Sequence, residues 1–462
     1  MNQRKKLSVA VGVVVSGLAI AASAHAATYV VSANGNGLNK NQQSSIEAAG
    51  GTITANLPQV GIAIVESDNP DFATAAAAIA GLTTTRDIQL EFDIPQDLSL
   101  VGEEIGPDFA NPPASGEDDI RFDLQWGAGA IDVAGAWNAG YRGQGATIAV
   151  LDSGVACLHP DIAPNLDLDR STSFVPGEGV CRALVSGFNH GTHVAGIAAA
   201  ADNGIGTIGV APEARIIAVK VLSEVTGSGG FAGIIQGIVH ATDAGANVIN
   251  MSLGVRDGLA VGGKEVAELV NATKRAVQYA RSQGTLVVAS TGNDARNMDY
   301  DANVMAFPGG LPGVLAISAT APDAWGMNTE RADLDLPASY SNHGRSEVAF
   351  AAPGGDFDSE VETLCVVAGV IQPCWVFDGV FAPGGYSISG TSVFASYSWA
   401  AGTSMAAPHV AGVAALIYGK HPGIKPAQVE AILRKSAEDL GEAGNDPFYG
   451  AGRVNAAAAV RD

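Results

Sequence analysis

The chain has 462 residues, 47% of them apolar and 16% charged, with a formal net charge of −22. That is enough apolar material for a large core and about two to four domains. The acidic balance excludes a phosphate-binding surface, which needs clustered Lys and Arg, so no nucleic-acid partner is expected.

The first 26 residues stand apart. Arg4, Lys5 and Lys6 give a positive start, residues 7–22 are almost wholly apolar, and Ala24-His25-Ala26 supplies an A-x-A cleavage signal. The apolar run is short for a ~20-residue membrane span, so the pattern predicts a signal peptide over 1–26 and an exported chain with no membrane partner after cleavage. Export makes the four cysteines candidates for disulfides. Four allow three pairings; Cys157–Cys181 and Cys365–Cys374 are the local choices, closing short loops. No C-x-x-C suggests zinc.

Residues 28–93 read as a small α+β unit, with strands over 29–32, 61–65 and 88–92 and helices over 42–49 and 71–81. A stretch rich in Pro, Asp, Glu and Gly over 94–119 reads as a linker holding the domain boundary. From about Phe122 the pattern becomes strand, loop, helix, repeated. Apolar runs at 146–151, 215–222, 246–251, 285–289 and 314–318 suit parallel strands covered on both faces. Helical segments over 233–243 and 265–282 lie between them. The alternation predicts an α/β domain around a mostly parallel sheet, whose sites gather beyond the carboxyl ends of the strands.

Three residues there can carry chemistry. Asp152 follows the first strand directly, placed to orient a histidine and stabilise its cation, although a lone aspartate there is more often a cap or turn residue. His190 opens His190-Gly-Thr-His-Val-Ala-Gly196, whose small residues let a helix pack closely and hold an imidazole as a general base requires. His193, three residues on, reads as structural. Ser404 lies in Gly402-Thr-Ser-Met-Ala-Ala-Pro-His409; a helix-start serine is usually an N-cap, but a nucleophile there would form its oxyanion near free backbone N–H groups. Gly390-Thr-Ser392 repeats the tripeptide without a small-residue helix after it, so Ser404 is favoured over Ser392.

Taken in order, Asp152-Ser-Gly154, His190-Gly-Thr-His-Val-Ala-Gly196 and Gly402-Thr-Ser-Met-Ala-Ala-Pro-His409 resemble the subtilisin family of serine peptidases, in which the triad runs Asp, His, Ser. The resemblance extends over about 125–460. It implies a subtilisin-like three-layer domain over 111–462 that hydrolyses protein or peptide substrates as a monomer. It further implies a triad of Asp152, His190 and Ser404, with Asn293 in the oxyanion hole. Ser252, Leu253 and Gly254 match the segment that pairs with substrate backbone, and Ala306 and Phe307 fall where the specificity pocket is built. A structural Ca2+ is implied on Asp161, Ala201, Asn203, Ile205 and Thr207. The family's N-terminal glutamine ligand has no match near Phe122, leaving Asp123 or another oxygen in its place.

Residues 27–110 resemble the family's propeptide, a ferredoxin-like intramolecular inhibitor whose tail occupies the cleft, with release expected between 105 and 119. The stretch 356–400 is longer than in compact members and reads as a disulfide-tied flap or as a plain surface insertion. An α/β-hydrolase esterase would want a G-x-S-x-G elbow and the order Ser, Asp, His. A non-catalytic binding scaffold would normally have lost one of the four catalytic positions, and all four are filled.

Overall fold

The apolar runs of the second half form the sheet that organises the molecule. The computed structural model describes residues 26–35, 37–92, 100–104, 117, 119–181, 188–358, 363–389 and 392–461; the segment read as a signal peptide, 1–26, lies almost wholly outside them. The parallel strands lie in the order Val348–Pro353, Leu315–Ala321, Leu286–Ser290, Val248–Met251, Thr147–Asp152, Arg215–Lys220 and Thr172–Ser173. Leu336–Pro337 adds a short antiparallel pairing to Leu315–Ala321. The strand Val348–Pro353 and the two-residue Thr172–Ser173 are additions to the expected set.

Successive side chains of a strand point to opposite faces, and the core divides accordingly. Ile148, Val150, Ile216 and Ala218 pack with helices His190–Ala199 and Thr403–Lys420. Ala149, Leu151, Ile217 and Val219 pack with Phe231–Asp243 and Lys264–Gln283. Helix, sheet, helix gives three layers. With both faces covered, each strand needs to be apolar throughout, which is why these segments read as unbroken runs.

The small unit is an antiparallel sheet in the order Thr52–Leu57, Ile62–Ser67, Ala27–Ala33, Leu82–Arg86. Helices Lys40–Ala48 and Phe72–Ala77 pack on one face, over Tyr29, Val31, Ala63 and Val65. The other face, with Val30, Ile62 and Ile64, joins the core of the large unit. Gln59 Nε2 donates to Asp243 Oδ2 at 2.7 Å, and Arg275 Nη1 donates to the Ala33 carbonyl at 3.1 Å. Two of its strands, Thr52–Leu57 and Leu82–Arg86, escape a reading of the sequence because threonines and other polar residues dilute their patterns. The helix expected over 71–81 stops at Ala77, and Gly81 then turns the chain with φ +78°. The strand expected over 88–92 forms as Gln89–Glu91, but it leaves the small sheet and pairs antiparallel with Ser228–Gly230.

Both expected disulfides are present, Cys157–Cys181 and Cys365–Cys374. The second closes a hairpin of Leu364–Val367 and Val370–Pro373 on which Leu364, Val366 and Ile371 are exposed. A longer hairpin, Val380–Ser389 with Ser392–Ala400, follows. This hairpin is not a plain surface insertion, because Phe381, Tyr397 and Trp399 are buried in the main core and the Asn189 N–H donates to the Gly384 carbonyl at 2.8 Å. Its outer edge takes Leu100–Glu104 as a third, antiparallel strand. A strand inside the stretch read as linker is a correction, and the cause is physical. A strand is completed by a partner's edge, and that edge lies almost 300 residues away.

Among the described residues, no helix is long and apolar enough to cross a membrane. One buried group makes stability depend on pH. His409 has Nδ1 2.8 Å from the Met405 carbonyl, and burial pushes its pKa down to about 4. The unfolded chain binds that proton near pH 6.5, so this group's contribution is full above that pH and is lost as pH falls toward 4. In denaturant melts, the stability gap between the wild type and His409→Gln is expected to narrow by about 1.4 kcal/mol per pH unit between 6.5 and 4.5. A constant gap would sink the assignment.

Candidate active site

Asp152 is the last residue of its strand and is buried. Both of its carboxylate oxygens lie 2.9 Å from His190 Nδ1, and Oδ1 also accepts from the Ser153 N–H at 2.6 Å. His190 is the first residue of its helix, but the cap is its neighbour: Asn189 Oδ1 accepts from the Thr192 N–H at 2.8 Å. Freed from capping, the imidazole turns to the strand end. Gly191 permits the approach, since a Cβ there would overlap the Gly154 carbonyl and come 3.1 Å from Asp152. With Nδ1–H donated to the carboxylate, the neutral ring keeps its lone pair on Nε2. That atom is buried and has no hydrogen-bond partner among the described residues.

Ser404 is the second residue of helix Thr403–Lys420. Its Oγ donates to the Ser252 carbonyl at 3.3 Å, and Ser252 Oγ returns a hydrogen bond to the Ser404 carbonyl at 2.7 Å. Asn293 meets the same helix start: its Oδ1 accepts from the Thr403 N–H at 2.9 Å and from Thr403 Oγ1 at 2.8 Å. The NH2 end of that amide is therefore turned away from Thr403. His193 is buried with Nε2 3.0 Å from the Ser398 carbonyl, and burial holds its pKa down to about 3. It packs as a structural group.

The segment Ser252-Leu253-Gly254 follows strand Val248–Met251, with Ser252 and Leu253 buried. Beyond it Val255 pairs antiparallel with Phe92, and the Arg256 N–H donates to the Glu91 carbonyl at 3.1 Å. Residues 89–92 thus run between two edges of the large unit, Ser228–Gly230 and Val255–Arg256. Phe92 is buried in the cluster that holds Leu253 and Leu259. Ala306 is buried. Phe307 packs its ring on Phe231 at 4.9 Å, in the cluster that also holds Leu90 and Phe92, and its carbonyl accepts from the Val255 N–H. The edge at Ser228–Gly230 was missed in the sequence; the signal available was Gly229-Gly230 directly before a helix.

The loop expected to hold calcium surrounds two buried carboxylates. Asp161 Oδ2 accepts from Thr207 N–H at 2.9 Å and Thr207 Oγ1 at 3.1 Å, while Tyr397 Oη donates to Oδ1 at 3.3 Å. Gly206, at φ +67°, has no room for a side chain, which would overlap the Tyr397 hydroxyl and Asp161 Oδ2. Asn203 Nδ2 donates to the Pro160 carbonyl at 3.2 Å, and its Oδ1 accepts from Ile205 N–H at 3.1 Å. The Ala201 N–H donates to the Asp161 carbonyl. The second carboxylate is Asp119, not Asp123: its Oδ1 accepts from the N–H groups of Asn203 at 3.2 Å and Gly204 at 2.8 Å. Asp119 Oδ2 is buried without a hydrogen-bond partner among the described residues. Desolvation raises the Asp161 pKa to about 7 and, reinforced by the nearby Asp161 charge, that of Asp119 to about 8. Among the described residues no three His, Cys, Asp or Glu side chains gather as a metal cluster, so a hard cation here would rest on two carboxylates plus amide and carbonyl oxygens, a set that suits Ca2+. The orphaned Asp119 oxygen fits that group.

Residues 143–452 match the model of the subtilase family of peptidases. Over 338 residues the chain is 35% identical to subtilisin Savinase of Lederbergia lenta, covering 73% of this chain and 99% of that protein. It is 34% identical to subtilisin E of Bacillus subtilis strain 168, covering 73% and 71%. Among solved structures, fervidolysin of Fervidobacterium pennivorans, a keratinolytic enzyme related to subtilisin, superposes with a TM-score of 0.64 at 26% identity, covering 95% of this chain and 61% of that one.

Proposed function

Because the chain belongs to the subtilase family of serine peptidases, we propose that it is a secreted endopeptidase, made as a precursor that processes itself. The observation that carries the reading is the grip of the Asp152 carboxylate on His190 Nδ1, both groups being buried. Rotation of Ser404 Oγ from the Ser252 carbonyl to His190 Nε2 completes the triad. His190 then takes the Oγ proton as Ser404 attacks a peptide carbonyl, and Asp152 stabilises the imidazolium. The Ser404 N–H, at a helix start with no intrahelical partner, and the Asn293 NH2 hold the oxyanion. His190 returns the proton to the leaving amine, and water releases the acyl-enzyme. Residues 27–92 act as the inhibitory propeptide, with 89–92 lying in the cleft as a substrate strand would.

An active-site-directed fluorophosphonate tests the core of this reading. Labelling of the matured protein at Ser404, located by peptide mass, is expected. A folded protein that stays unlabelled would be an inert scaffold.

Asp161, Asp119, Asn203 and the carbonyls of Ala201, Ile205 and Thr207 would hold a structural Ca2+, which neutralises the two carboxylates and ties the loop to the chain at Asp119. At a calcium concentration about 100-fold above Kd, binding adds about 2.7 kcal/mol, so chelation is expected to lower Tm by roughly 3–5 °C in a domain of this size. Asp119→Asn should shrink that difference. Identical melting curves with calcium and with EDTA would argue against the site.

A further inference from the structure

Strand Ser392–Ala400 has two edges. One pairs along its length with Val380–Ser389. The other holds Leu100–Glu104 antiparallel, with Leu100 opposite Ser398 and Glu104 opposite Phe394. The direction of this docked strand matters. Glu91 meets Arg256 and Phe92 lies opposite Val255 in an antiparallel pairing, so the strand ending at Phe92 runs in the direction of Ser252, which is hydrogen-bonded to Ser404. From Leu100 onward the chain runs from Ser398 toward Phe394, away from Ser404. One polypeptide therefore approaches the nucleophile along one edge and departs along another.

We infer that the outer edge of Ser392–Ala400 is a docking edge for the part of a substrate that follows the cleaved bond, and that Leu100–Glu104 fills it in the precursor. This rests on the peptidase reading above. Backbone pairing of this kind gives affinity without demanding a sequence. It selects extended polypeptides that continue for several residues past the cleaved bond, since the docked strand alone spans 5 residues. It also places the first self-processing cut within residues 93–99, upstream of the 105–119 range that the propeptide resemblance implies. Water hydrolyses that bond, the acyl half ends the propeptide, and the amine half becomes a new N-terminus still attached to Leu100–Glu104. A later cut in 105–119 would then clear the edge.

The test uses the full precursor carrying Val101→Pro together with Gly102→Pro. One of two consecutive residues must direct its N–H at the hairpin, and proline has none. The first cut, followed by mass spectrometry, is expected to fall within 93–99 in the wild type and to be about tenfold slower in the double variant. Substitution of Ala110 and Asn111 by proline should leave it unchanged. The matured double variant, its edge unfilled, is then given quenched peptides identical before the cleaved bond and carrying one, five or nine residues after it. A rise in kcat/KM of about tenfold with length, erased by N-methylation at every second position, supports the docking edge. A first cut outside 93–99, an unaltered processing rate, or a flat length series overturns it. Cleavage of the shortest peptide, lost in Ser404→Ala, reports on the peptidase reading separately, so a flat series with that cleavage intact sinks only the docking edge.

Discussion

Ser404→Ala is expected to lower kcat on casein or a peptide by about 10⁶ and to leave the precursor at full length. The size of the effect comes from the triad acting as a unit. Without Oγ, His190 Nε2 has no proton to take, and its pairing with Asp152 contributes nothing to the chemistry. His190→Ala should cost as much, and the double variant little more, because the two losses are not additive. The residual rate belongs to the oxyanion hole and to binding alone. Folding should survive, since the hydroxyl makes one 3.3 Å hydrogen bond and an alanine suits a helix whose neighbours are already small. Full-length variant precursor with a wild-type melting curve is the expected result. Wild-type proteolysis by Ser404→Ala would remove the assignment.

The second large effect is expected at Asn293. Asn293→Leu should lower kcat by about 10²–10³, with a much smaller change in KM, because the donor acts on charge that develops only in the transition state. Asn293 also fixes Thr403 through two hydrogen bonds to its Oδ1, so a loss could arise from a displaced helix start. Asn293→Asp separates the causes. It keeps an oxygen for Thr403 while replacing the donor by a negative charge, and it should be at least as inactive as the leucine variant with a Tm near wild type. Activity in Asn293→Asp close to wild type would show that the amide donor is not used.

The candidate site was legible in the sequence because its residues sit at element ends marked by small residues. Asp152 closes an apolar run, His190 opens a glycine- and alanine-rich helix, and Ser404 follows a glycine that breaks an extended segment. The three-layer domain was legible for a related reason, since strands buried on both faces are apolar at every position. What escaped depends on partners remote in the chain. Gln89–Glu91 and Leu100–Glu104 look like the end of a sheet and a linker until their edges are found at Ser228–Gly230 and Ser392–Ala400. Asp119 looks like one more linker acid until the Asn203 and Gly204 amides converge on it.

The small N-terminal unit completes one of its two faces with side chains it does not own. Its own helices cover Val31, Ala63 and Val65, whereas Val30, Ile62 and Ile64 are covered by the helices of the large unit. A core this small rarely supplies more than about 3–5 kcal/mol by itself, and separation strips the second face bare to water. Detachment and unfolding therefore merge into a single event. On the precursor reading, an unfolded strip of some seventy residues released beside an active peptidase would be digested before it could return. On the precursor reading proposed above, inhibition would be a one-way latch, whose direction is set by the geometry of a shared core.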